Sequence, residues 1–160
     1  MKKILLGVVA VLILIQLVPV DRDNPESDPA NEISANADVK QILNKACYDC
    51  HSNQTKWPAY SYIAPVSWVI TNHVKDGRKH LNFSEWASYS EKRKNKKLEE
   101  IVEETAEGEM PLTSYVLGHP AAKLSSHEFD QLKQWANSMK TASQQPAIGE
   151  NESEQEERHE

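Results

Sequence analysis

Apolar positions follow three different patterns along the chain. From Ile4 to Val20 they form an almost unbroken run, interrupted by Gln16 and headed by Lys2 and Lys3. From Ala37 to Ala46 they recur at helical spacing, with Val39, Ile42, Leu43 and Ala46 on one face. The same spacing returns with Leu98, Ile101, Val102 and Thr105 in a helix predicted over Lys92 to Glu107, and with Phe129, Leu132, Trp135, Ala136 and Met139 in a last helix. Ser125 and Glu128 form a capping box at the head of that last helix, and Leu124 with Phe129 suits a hydrophobic staple. A further helix is predicted to start at Ser84. No segment alternates with the two-residue period of a strand, so the prediction is an all-α fold.

The flanks differ from the middle. Residues 1–20 read as a signal-anchor, because a basic head before an apolar run is a secretory pattern and Leu17-Val18-Pro19 offers a poor cleavage site. Its 17 residues would span roughly 25 Å, at the short end of a membrane crossing. Two lysines before the run and acids after it place the rest outside the cytoplasm, in the periplasm or on the outer face of a bacterial inner membrane. Residues 21–36, with five acids, Pro25 and Pro29, are predicted to be an extended, mobile linker. Residues 37–142 form the folded domain, and residues 143–160 a disordered acidic tail.

Charge adds an exclusion. The net charge of -6 resides largely in the two acidic flanks, so the centre is near neutral and lacks the basic footprint of a nucleic-acid binder. A domain this small gains from a large buried cofactor. The two cysteines stand three positions apart, and a disulfide between them would close too small a loop to stabilise much.

Those cysteines belong to Cys47-Tyr48-Asp49-Cys50-His51, the C-x-x-C-H pattern of c-type haem attachment. Two thiols at this spacing reach the vinyl groups on neighbouring pyrroles, and the next side chain turns its imidazole toward the iron. Zinc is a weaker reading because there is no second cysteine pair. A thioredoxin-like redox pair is weaker because the approach is helical where a strand would be needed. The assigned cofactor is therefore one covalently attached haem c, with Cys47 and Cys50 as attachment sites and His51 as an axial iron ligand.

A second axial ligand is sought among soft donors. Met139 lies on the apolar stripe of the last helix, where packing is its expected role. Met110 stands between Gly108 and Pro111, on a loop 59 positions beyond His51, and is the expected sixth ligand. His73, His80 and His119 are its rivals, His73 and His119 foremost; His127 in the first turn of the last helix and His159 in the acidic tail are less well placed. Trp57, Pro65, Trp68, Arg78 and Trp86 are candidate pocket or propionate contacts, and Pro58 or Pro65 a candidate carbonyl for the other ring nitrogen of His51. The acids Glu99 to Glu107 are a candidate steering surface for a basic partner, although a solvated helix face explains them more simply.

The order helix, C-x-x-C-H, loop, helix, Met-containing loop and terminal helix resembles the class I cytochrome c fold. Trp57-Pro58, Ala64-Pro65-Val66-Ser67-Trp68, Gly77-Arg78, Leu81-Asn82-Phe83-Ser84-Glu85-Trp86, Gly108-Glu109-Met110-Pro111 and Trp135 together resemble the bacterial haem-binding domain family (Haem_bd) over roughly residues 38–140. The Asn-Phe-Ser-Glu-Trp segment is the most particular of these. The resemblance implies a small extracytoplasmic monohaem domain with His51 and Met110 as ligands. The expected function is one-electron transfer to an unidentified redox partner, with no substrate converted. A haem-based gas or peroxide sensor, or a peroxidase-like protein with a labile sixth ligand, is the alternative.

Overall fold

The computed structural model describes residues 1–142, and among them there are helices and no strands. The all-α expectation holds. The predicted tail, residues 143–160, lies outside the described residues.

The α-helices are α1 (Lys2–Leu14), α2 (Ala37–Ala46), α3 (Tyr48–His51), α4 (Val66–His80), α5 (Glu91–Glu107), α6 (Thr113–Gly118) and α7 (Ser126–Ala142), joined by short 3-10 turns. α2 begins where Asn36 accepts the Val39 amide, and its buried face is Val39, Ile42, Leu43 and Ala46, as its spacing predicts. It packs against α7, which opens on the Ser125/Glu128 capping box: the Ser125 amide donates to Glu128 at 2.8 Å, and the Glu128 amide to Ser125 Oγ at 3.3 Å. Lys45 and Glu128 pair across the two helices at 2.5 Å. α5 packs on the same α7, and Met139 sits against this core as expected. α4, which the hydrophobic pattern does not single out, packs on α3 and on the 3-10 turn Ala59–Tyr62.

Two expectations about the N-terminal third need correction. The membrane-spanning helix is not formed: α1 ends at Leu14, a 3-10 turn covers Ile15–Leu17, and Val18 is extended. Thirteen residues reach roughly 20 Å, against about 30 Å of bilayer hydrocarbon. No helix among the described residues is long and apolar enough to cross a membrane. The physical reason lies in Gln16, whose amide pairs both ways with the backbone of Ala64, donating to its carbonyl at 3.1 Å and accepting its N–H at 2.9 Å. The end of the apolar run is thereby drawn onto the domain.

The second correction concerns residues 21–36, which are tied down rather than mobile. Arg22 donates to Ser61 O at 3.2 Å, and Asn24 to Thr55 O at 2.9 Å. Ile33 is 2% exposed and its amide donates to Phe83 O at 3.0 Å. Ser34 O accepts the Trp135 indole N–H at 3.2 Å. A stretch poor in apolar residues is held by polar side chains and one buried isoleucine, which its composition does not reveal.

The segment Asn82 to Trp86 forms a 3-10 turn (Phe83–Ser88) where a helix was predicted to start. Asn82 caps it by accepting the Ser84 amide at 3.1 Å, and donates to Asn53 at 2.9 Å. Ser84 accepts the Asn53 amide at 3.0 Å. Phe83, fully buried, stacks on Tyr48 with ring centroids 5.2 Å apart. This segment therefore locks the loop that follows His51.

A candidate haem cavity between two walls

A cavity of about 450 Å³ opens between the α3/α4 pair and the α5–α6 segment, within the size range of cofactor sites. Cys47, Cys50, His51 and Phe83 line one side, and Ile101, Met110, Pro111 and Leu112 are among the residues lining the rest. The four chemistry-bearing residues singled out from sequence thus converge on one space.

His51 is oriented by backbone alone. Its Nδ1 lies 3.1 Å from both Gly77 O and Leu81 O at the C-terminal end of α4. Both partners are acceptors, so Nδ1 carries the proton and Nε2 keeps its lone pair. Burial pushes the imidazole pKa below its usual value, partly opposed by the two carbonyls. The neutral tautomer that a metal requires is therefore the resting form. The acceptors are Gly77 and Leu81; Pro58, whose carbonyl takes the Ser61 hydroxyl at 2.6 Å, and Pro65 do not serve.

Gly77 makes that arrangement possible. A Cβ at this position would stand 2.5 Å from Cys50 O and 3.1 Å from Cys50 Cβ. The bare backbone lets α4 touch the turn that carries Cys50, which brings its terminal carbonyls within reach of His51.

Burial pushes the thiol pKa of Cys47 up to about 12 and that of Cys50 up to about 11, the latter helped by the neighbouring Asp49. A redox-exchange pair needs thiols shifted the other way, so the thioredoxin-like reading loses ground. Among the described residues no cluster of three His, Cys, Asp or Glu is placed to hold a metal ion.

The two residues between the cysteines are fastened in opposite directions. Tyr48 accepts from Lys40 at 2.7 Å, and Lys40 also pairs with Glu32 at 2.8 Å. Asp49 accepts the Lys56 amide at 3.0 Å and, from α6, the Tyr115 hydroxyl at 2.8 Å. Burial, with Asp49 as acceptor, holds the Tyr115 phenol pKa above its usual value.

Met110 is placed by the end of α5. Gly108 adopts the left-handed conformation at φ 78°, and the Glu109 and Met110 amides both donate to Glu104 O at 3.0 Å. The glycine stop read from sequence is thus what turns Met110 toward the cavity. His73 and His80 also line the cavity, but from α4, the helix that carries the His51 acceptors. His119 is absent from the lining and stacks on Tyr115 with ring centroids 4.3 Å apart.

Trp57, Pro65, Trp68, Arg78 and Trp86 do not line the cavity. Arg78 instead donates to Ser52 O, Asp23 O, Asn24 Oδ1 and Thr55 Oγ1 at 2.8 to 2.9 Å, tying the loop after His51 to residues 23–24. Trp86 belongs to the core beside Tyr89. The indole N–H groups of Trp57 and Trp68 are buried without a protein acceptor. Sequence reasoning missed Gly77, Tyr115 and the roles of Asp49 and Arg78. The Gly77-Arg78 pair was visible, yet only the fold shows what it touches.

The residues present fit a haem: a cavity of suitable size, two cavity-facing thiols, an imidazole with a free Nε2 and a thioether in the same space. Comparison with known proteins agrees. The haem-binding domain family matches residues 10–138. No curated protein and no solved structure matches the chain.

Proposed function

The chain belongs to the haem-binding domain family, and on that premise we propose that it is a monohaem c-type cytochrome that carries single electrons outside the cytoplasm. The observation that carries this reading is the convergence of Cys47, Cys50, His51 and Met110 on one cavity, with His51 Nδ1 already committed to two carbonyls. Cys47 and Cys50 would each add their S–H across one vinyl group, forming one S–C bond and passing the hydrogen to the other vinyl carbon, so no oxidant is consumed. His51 Nε2 and Met110 would hold the haem iron, and a His/Met pair would favour a raised potential. When bound, the haem supplies the ferrous/ferric couple. Phe83, Ile101 and Leu112 provide apolar cover, and the carbonyls of Gly77 and Leu81 keep the His51 ring from turning between redox states.

A class I cytochrome c-like arrangement is part of the proposal, supported by the packing of α2 on both α7 and α3. The extracytoplasmic address rests on the basic-headed apolar segment at Lys2 to Val20. A sensor or peroxidase-like protein with a labile sixth ligand is the second reading. It draws on α6, which follows Met110 and buries none of its residues.

Intact-mass analysis tests attachment. The full chain produced with haem-attachment machinery is expected to carry the mass of one haem through denaturation, and Cys47→Ala/Cys50→Ala is expected to carry none. A double variant that keeps haem through denaturation would refute covalent attachment at these residues.

A further inference from the structure

The segment that carries Met110 continues directly into α6, and α6 is weakly fastened. None of its six residues is buried, and Leu117 is 85% exposed. Such a segment lies at the low-stability end of a protein, where local opening is easy. Its polar ties to the rest of the domain run through two phenols. Tyr115 donates to Asp49 Oδ2 at 2.8 Å, joining α6 to the turn between the two cysteines. Tyr60, whose ring faces His119 at 6.1 Å, has its hydroxyl 3.4 Å from His119 Nε2, while His119 Nδ1 lies 3.2 Å from Tyr115 O. The second tie is longer and more exposed, and the first is charge-assisted. Tyr115 also lines the cavity, so the tie joins the cavity wall to the turn between the two cysteines.

We infer that the Tyr115–Asp49 hydrogen bond is a latch that closes the Met110–α6 segment over the cavity and so controls access to the sixth coordination position. The inference rests on the proposed reading of His51 and Met110 as ligands, and names Tyr115 and Asp49 as positioning residues that act through Met110. With the latch made, Met110 is held and the protein transfers electrons. With it broken, the segment opens and a small ligand reaches the iron.

Tyr115→Phe removes the hydroxyl and keeps the ring that stacks on His119. In the haem-loaded full chain, imidazole association with ferric iron is expected to quicken roughly ten- to a hundredfold, the factor that a hydrogen bond to a charged group confers on an opening equilibrium. Asp49→Ala is expected to act alike, and the double variant to be no faster than the quicker single variant, because both substitutions open one latch. Amide exchange at residues 110–118 of the full chain as purified is expected to rise by a similar factor. Wild-type imidazole rates and wild-type exchange in Tyr115→Phe overturn the latch. If the ferric wild type shows no Met-to-iron charge-transfer band, the Met110 assignment fails, and the exchange result still decides whether Tyr115 holds the segment.

Discussion

The wall that presents His51 and the wall that presents Met110 are built by different means. The first is backbone against backbone: α4 meets Cys50 at a glycine, and its last carbonyls take the His51 proton. Around it lie fully buried side chains such as Phe83 and Leu43. The second wall is a glycine-stopped helix end, a proline-flanked methionine and a short helix with no buried residue. Its closure depends on side-chain hydroxyls. On the proposed reading the contrast separates two needs of an axial pair, since the side carrying His51 would have to stay fixed and the opposite side would set what the iron can meet.

Substitutions sharpen this contrast in order of their expected effect. Gly77→Ala is expected to be the most damaging, because the new methyl would lie 2.5 Å from Cys50 O with backbone on both sides of the contact. A loss of about 3 kcal/mol, with reduced haem incorporation, is the expected outcome, read by denaturant unfolding and haem yield. An equally large loss in the Met110–α6 segment, for instance in Leu117→Ser, would break the comparison, since Leu117 is exposed and a surface change of this kind is worth about 0.5 kcal/mol or less.

Next in size is Arg78. Its guanidinium satisfies Ser52 O and Thr55 Oγ1 behind His51 and reaches Asp23 and Asn24. Arg78→Ala is expected to cost about 2 kcal/mol, and Arg78→Lys to recover little, because a single ammonium cannot reproduce the planar fork. Proteolytic cleavage near residues 21–28 is expected to accelerate in both variants, and unchanged cleavage would show that the N-terminal segment is held by other contacts.

The smallest effect is electrostatic. Lys45 and the Ser125 backbone hold the Glu128 pKa at about 2, below its ordinary value. A carboxylate with a depressed folded pKa stabilises above its unfolded pKa, and this contribution disappears as pH falls from about 4.5 toward 2. The partly exposed pair is worth about 1 kcal/mol or less. Lys45→Met is therefore expected to flatten acid unfolding slightly over that window and to leave the Met110 wall untouched. In the haem-free chain His51 acts with the same sign: its depressed pKa means that unfolding takes up a proton, so stability falls as pH drops below about 6.5.

What could be read from the chain follows the same division. α2, α5, the capping box of α7 and the glycine stop at Gly108 were legible because each depends on local spacing or on a residue with one conformational use. That Cys47, Cys50 and His51 line one cavity was legible because they stand together in one C-x-x-C-H stretch. The acceptors of His51 were not, since a carbonyl belongs to every residue and only the contact of α4 with Cys50 selects Gly77 and Leu81. Arg78 looked like a charge for the haem, and its partners come from residues 23–24 and 52–55, which no periodicity joins. The N-terminal run read as a crossing helix because hydropathy does not register one glutamine pairing with a distant backbone.

The central claim is that His51 and Met110 hold one iron from two unlike walls. Its most direct test is the ferric optical spectrum of the haem-loaded full chain, compared with that of Met110→Ala. A Met-to-iron charge-transfer band in the wild type that vanishes in Met110→Ala is the expected result. A wild type without the band, or a variant that retains it, would contradict the claim.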